Sequence, residues 1–126
     1  MRGEVIIGEG ANAVVGLNDP TAHAEVMAIR DACGRQAHFS LAGATIYASS
    51  EPCPMCLAAI YWARIESIVF ASDRTRAARA GFDDSKFYDE LARDPAARAV
   101  AVRQVELPEG IALFDEWIAK PDKARY

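Results

Sequence analysis

The order of apolar and polar positions divides the chain into short segments of two periods. Residues 4–7 and 12–15 are rich in β-branched and apolar side chains on either side of a Gly8-Glu9-Gly10 break, which predicts two short strands paired as a hairpin or a bulged strand. Ala22, Val26, Ile29 and Cys33 then recur at spacings of four, three and four, the period of one helix face. Asn18-Asp19-Pro20 is a start signal for that helix: Asp accepts from free backbone donors, and Pro lacks only an N–H that the first turn leaves unused. Gly34 supplies the stop. A helix over residues 20–33 is therefore expected, with its apolar stripe against a core.

Further on, residues 44–49 predict a strand, Ser50-Glu51-Pro52 a turn, and Pro54 the first residue of a helix reaching residue 63 or 64. Residues 65–71 predict another strand, and 75–80 and 85–92 short helices around a Gly81-Phe82-Asp83-Asp84 loop. Residues 100–105 predict a strand and 109–119 a final helix. Strands alternating with helices imply a layered α/β sheet. With 126 residues and no repeat or linker, residues 1–126 are expected to form one domain.

Composition narrows the possibilities. At 52% hydrophobic and 25% charged residues the chain has the make-up of a folded globular protein. Its longest strictly apolar run, residues 57–63, is far short of the roughly 20 residues that span a bilayer, and the first residues carry no signal-like apolar stretch. A cytoplasmic location without a membrane partner is expected. The net charge of −4 leaves no surplus of cations for a phosphate backbone, which favours a small substrate over nucleic acid.

The three cysteines are an odd number, and two of them form Cys53-Pro54-Met55-Cys56 at the start of a predicted helix. Side chains three apart share a helix face, and the positive end of the helix dipole favours both as thiolates. His23-Ala24-Glu25 stands at the start of the other helix, with His23 expected in its first turn. One imidazole nitrogen and two sulfurs make a three-donor tetrahedral Zn2+ site whose fourth position is open to water, the arrangement of catalytic rather than structural zinc. Glu25, two residues from His23, does not share its face, so it can address a substrate and shuttle protons while His23 binds metal.

A C-x-x-C pair by itself is more often a redox motif or half of a structural zinc site. A structural site would need a fourth protein ligand. Cys33, ten residues beyond His23 on the same predicted helix, is about 15 Å away at 1.5 Å per residue, and it falls on the core stripe, so it is read as an apolar filler. His38 lies in a polar connection and is read as a surface residue. A redox reading leaves His-x-Glu at a capped helix start unexplained.

His23-Ala24-Glu25 together with Pro52-Cys53-Pro54-Met55-Cys56 is the H-x-E…P-C-x-x-C pattern of zinc deaminases. From about residue 8 to residue 126 the chain resembles the cytidine deaminase superfamily and, more narrowly, its bacterial guanine deaminases. Residues 18–25 and 50–56 are shared with other branches, including tRNA adenosine deaminases. Ala59-Ile60-Tyr61-Trp62-Ala63, Ala80-Gly81-Phe82-Asp83-Asp84 and a chain ending on Tyr126 after a Phe114/Trp117 helix carry the likeness to the guanine branch.

The resemblance implies a three-layer αβα sandwich around a central mixed β-sheet, cytidine deaminase-like. It implies Zn2+ on His23, Cys53 and Cys56, with Glu25 and Asp84 as catalytic groups, the latter at the exocyclic amine. Substrate contacts fall to Asn12, which hydrogen-bonds the purine, Ala24, Trp62, which lines the pocket, and Tyr126, which closes it. The implied reaction is hydrolytic deamination of guanine to xanthine, in a homodimer that exchanges C-terminal segments. Guanosine or tRNA adenosine deamination is the alternative within the enzyme class, and a non-catalytic zinc-binding interaction module the alternative outside it.

The chain departs from that family at its start, which lacks a helix and a Pro-Phe-Gly-containing strand that ordinarily lies inside the sheet. Residues 4–7 would have to pair directly with the 44–49 strand to satisfy its backbone, because each unmet buried group costs about 1 to 3 kcal/mol. Ser50 and Ala58, where the family often has Cys and Gly, are minor departures.

Overall fold

A computed structural model describes residues 1–124. The chain divides into two compact units, Met1–Tyr88 and Asp89–Tyr126. In the first, α1 (Val14–Leu17) and α2 (Ala24–Gln36) precede β1 (Thr45–Ser50), α3 (Pro54–Trp62), β2 (Ser67–Ser72) and α4 (Arg74–Arg79), and α5 (Ser85–Ala92) begins at its end. The second unit carries the rest of α5, a 3-10 turn at Pro95–Ala97 and α6 (Pro108–Ala119). Among the described residues no helix is long and apolar enough to cross a membrane.

β1 and β2 are parallel, with Thr45 opposite Ser67 and Ala48 opposite Phe70, and α3 is the crossover between them. Among the described residues these two strands form the sheet. Helix α2 packs on both β1 and α3. The core lies between these elements: Ile7, Ala32, Leu41, Ala44 and Ala63 are buried together, with Ile29, Cys33 and Ile65 against them. On α3 and its C-cap the inner stripe is Cys56, Ile60 and Ala63, at 0%, 1% and 4% exposure, so burial fixes the rotation of the helix whose start carries both cysteines.

Three expected strands do not form. At residues 4–7, Gly3 adopts φ +56° and turns the chain so sharply that Arg2 and Val5 exchange backbone hydrogen bonds. Pairing with β1 is made one step earlier: the Met1 amino group donates to the Thr45 carbonyl and the Thr45 N–H to the Met1 carbonyl, at 2.6 and 2.8 Å. At residues 12–15, the Asn12 side chain accepts from the Val14 N–H and starts the short helix α1, which Asn18 ends in the left-handed region at φ 51°. At residues 100–105, Val100 and Val102 are 76% and 55% exposed and the backbone has no ladder partner within its unit.

The start of α2 also differs from expectation. Asp19 accepts from both the N–H and the hydroxyl of Thr21, closing a turn of its own, and the helix begins four residues after Pro20, at Ala24. His23 is consequently the N-cap, with extended φ −68° and ψ 155°, rather than a first-turn residue.

Gly8 and Gly10 cross α2 so closely that only glycine fits at either position. A Cβ on Gly10 would lie 2.4 Å from the Ala24 carbonyl oxygen and from the Ala28 nitrogen, both helix backbone. The Glu9 N–H is tied there by Asp31, whose carboxyl this hydrogen bond first, and Arg35 second, holds below the usual carboxylate range. Gly10→Ala is expected to destabilise the zinc-loaded protein by about 1–3 kcal/mol, the ordinary cost of overpacking, as measured by denaturant unfolding.

Candidate metal centre and active site

The N-termini of α2 and α3 converge. His23 is the N-cap of one helix and Cys53 the N-cap of the other, both extended, and Cys56 sits one turn into α3 with no solvent exposure. The His23 Nδ1 atom lies 3.6 Å from the Cys53 sulfur and 3.5 Å from the Cys56 sulfur. A tetrahedral zinc with bonds of about 2.3 Å to sulfur and about 2.05 Å to nitrogen requires a sulfur–nitrogen separation of about 3.6 Å. Both nitrogen–sulfur separations therefore already match edges of a zinc tetrahedron, and the chemistry of the set suits that ion. Among the described residues these three donor atoms, all within 4.8 Å of one another, form the candidate metal group.

The electrostatics of the cysteine pair are asymmetric. The Cys53 thiol is pulled down to about 6, chiefly because Cys56 donates to its sulfur; the N–H groups of Cys56 and Met55 and the His23 imidazole add to this against the opposing effect of burial. Cys56 is pushed strongly upward by that same hydrogen bond, by burial and by the negative charge of Glu25. One sulfur is the natural thiolate and the other the proton that a metal displaces.

Glu25 projects from the first turn of α2 with its Oε2 3.5 Å from the Cys56 sulfur. His23, Ala24, Glu25 and Cys53 form part of the wall of a cavity of about 860 Å³, whose further lining includes Asn12 and Asp84. Trp62 does not line it: it ends α3 at 62% exposure, two residues from buried Ile60 and so on a different face. Tyr126 lies outside the described residues. The aromatic side chains that do reach the cavity are Tyr47, Phe82 and Phe87, which the sequence reading left unassigned. Phe82 sits within the Ala80–Asp84 stretch and could have been singled out; Phe87 carries no local signal, since only the placement of α5 turns it inward.

Cys33 stands apart from the metal group. Its thiol is directed to the Phe39 carbonyl at 3.7 Å and is pushed up by burial against the core. His38 is exposed, stacked on Phe39.

Two helix tips joined by one imidazole and two sulfurs, beside a carboxylate, define a zinc deaminase centre, and the family comparison agrees: residues 2–72 match the cytidine and deoxycytidylate deaminase zinc-binding region. The chain belongs to that family, and its fold is cytidine deaminase-like. Within it, the chain is 47% identical to the guanine deaminase of Bacillus subtilis, over 96% of this chain and 78% of that protein. The X-ray structure of the Bacillus subtilis enzyme superimposes with a TM-score of 0.95 at 45% identity, over all of this chain and 80% of that one. The chain is 40% identical to the tRNA-specific adenosine deaminase of Haemophilus influenzae, over 68% of this chain and 53% of that protein. A solved NE0047 structure in complex with 8-azaguanine matches at 31% identity and a TM-score of 0.57, over 60% of this chain and 44% of that one.

Proposed function

We propose that the protein hydrolyses guanine to xanthine and ammonia, a step of purine breakdown. The observation that carries this reading is the tetrahedral spacing of His23, Cys53 and Cys56 with Glu25 beside it in a cavity wall. The choice of base is supported by 47% identity to a guanine deaminase over nearly the whole chain.

His23, Cys53 and Cys56 would hold zinc, which would supply the Lewis acidity that acidifies the attacking water. Glu25 takes a proton from the attacking water and passes it to the purine ring as the oxygen adds at C2. The C2 hydroxyl then gives up its proton, through Glu25, to the exocyclic nitrogen, the bond from C2 to that nitrogen breaks as the C2 carbonyl forms, and Asp84 holds the amino group as it leaves as ammonia. Water and guanine are consumed, and xanthine and ammonia are formed.

The remaining groups orient the flat base. Asn12 already accepts from the Val14 N–H through Oδ1, so its Nδ2 is the end left to donate to the purine. Ala24 is the first residue of α2, and its N–H belongs to the helix-start donors that have no acceptor within the helix. Phe82 and Phe87 take the stacking role expected of Trp62.

A homodimer with exchanged C-terminal segments fits the second unit, in which no described residue is buried and α6 leaves Ile111, Leu113, Phe114, Trp117 and Ile118 exposed. Together the two units would then serve one functional domain. The need for free thiolates suits the reducing cytoplasm, and a net charge of −4 weighs against a polyanionic nucleic acid as partner.

The test is ammonia release by zinc-loaded protein from guanine, guanosine, adenine and cytosine. Guanine is expected to yield ammonia and xanthine in equal amounts. Preference for guanosine or adenine would overturn the choice of base, and stoichiometric zinc with no ammonia from any of them would favour a non-catalytic zinc module.

A further inference from the structure

Beside the metal centre lies a group of side chains to which the reaction as described assigns no task. Tyr88, in α5, is half-buried with its hydroxyl 3.4 Å from the carbonyl oxygen of Pro52, the buried residue that immediately precedes Cys53. The Arg74 guanidinium covers the Tyr88 ring at 4.8 Å, a cation–π contact from the start of α4. Arg74 is itself anchored, since its backbone N–H donates to the Glu51 carboxylate at 3.1 Å and the Glu51 N–H donates to the Ser72 carbonyl at 2.8 Å. Three segments therefore meet at one ring: the Glu51-Pro52 turn, the start of α4 and the first turn of α5.

Asp84 is the residue this arrangement bears on. It immediately precedes α5, four positions before Tyr88 and thus on the same side of the helix, and it lines the cavity. Burial raises the Tyr88 hydroxyl's pKa first, and the charges of Asp84 and Glu51 raise it further, as expected where both carboxylates lie near the ring. The loop before Asp84 is held by bonds to near neighbours in sequence: Gly81, at φ +92°, and Phe82 donate their N–H groups to the Ala78 and Ala77 carbonyls of α4, and Asp83 accepts from the Ser85 N–H two residues away. Nothing in those local bonds sets the distance from Asp84 to the metal.

We propose that Arg74 and Tyr88 are positioning residues, forming a latch that ties the Asp84-bearing start of α5 to the turn carrying Cys53 and so sets the reach of Asp84 over the metal centre. Misplacement of a reacting group by about 1 Å costs on the order of a hundredfold in rate. The proposal rests on the role of Asp84 in guanine deamination given above, and its test separates the two.

The experiment compares zinc-loaded wild type, Tyr88→Leu, Asp84→Asn and the double variant, reading kcat, KM, zinc content and amide hydrogen exchange at residues 80–84. Tyr88→Leu is expected to lower kcat about ten- to a hundredfold with KM changed much less and zinc retained. In the Asp84→Asn background the same replacement is expected to add almost nothing, because the group it positions is already lost. Exchange at residues 80–84 should quicken about tenfold or more, as for a segment released from its contact. Arg74→Ala should follow the same pattern. Losses that multiply in the double variant, or loss of zinc from Tyr88→Leu, would overturn the latch. If wild type fails to release ammonia from guanine, the functional reading falls and exchange alone decides: faster exchange at residues 80–84 upholds the latch, and unchanged exchange rejects it.

Discussion

Glu25→Ala is expected to lower turnover by about a thousandfold or more while the protein keeps one zinc. Positioned acid–base groups contribute about 10²–10⁴-fold, and Glu25 is asked to move protons both from the water and to the ring. The carboxylate is placed for this by its backbone. His23 caps α2 and turns toward the cysteines, and the first helical turn then carries Glu25 to the cavity beside the Cys56 sulfur. Because Glu25 is outside the donor set, its removal leaves the imidazole and both sulfurs where they were. Metal analysis and initial rates on one preparation check both halves, and Glu25→Gln should repeat the loss without changing the shape of the side chain. Rates within tenfold of wild type would remove Glu25 from the chemistry.

Loss of the metal should have the second large effect. Cys56→Ala removes a donor that has no solvent exposure and sits on the inner stripe of α3, directly ahead of Ile60. The variant is expected to lose stoichiometric zinc and all measurable ammonia release, and a strong chelator should do the same reversibly to wild type. Stability should fall as well, since the ion joins the tips of two helices: free zinc at a thousand times its Kd contributes about 4.1 kcal/mol to the folded state. Thermal unfolding with and without chelator measures this. The direction of the pH dependence follows from the thiols. Zinc takes both sulfurs as thiolates, so its binding must displace the Cys56 proton, and below about 6 the Cys53 proton also. Zinc affinity should therefore rise with pH and drop off more steeply on the acid side of about 6, as a competition titration against a chromophoric chelator would measure.

The chemistry of this chain was more legible in its sequence than its sheet. His23, Glu25, Cys53 and Cys56 can be read without coordinates because metal ligation restricts residue type and spacing so tightly that few other arrangements use the same set. The helices α3 and α5 were legible for a related reason: Pro54 marks a first helical turn, and the Ser85 start of α5 follows a Gly-Phe-Asp-Asp loop. The expected strands failed because a β-branched run records a preference for extended backbone and not the presence of a partner. Val100 and Val102 have the preference and no ladder, whereas Ile7 is used for the core while Gly8 and Gly10 press against α2.

The four-residue error at the start of α2 has a local cause. Asp19 and Pro20 are as good a start for a helix as for a turn, and Thr21 decides between them by giving Asp19 two hydrogen bonds that close the turn first. Trp62 shows the limit of helical spacing in an apolar segment. With residues 57–62 all apolar, the sequence does not say which face is inward, and it is the burial of Cys56 and Ile60 that turns Trp62 outward.

X-ray absorption at the zinc edge of the loaded protein addresses the metal centre most directly. Two sulfur scatterers at about 2.3 Å with nitrogen or oxygen scatterers at about 2.0–2.1 Å are expected, falling to one sulfur in Cys53→Ala if that variant still holds zinc. A shell containing three or four sulfurs, or none, would contradict a catalytic site built from His23, Cys53 and Cys56.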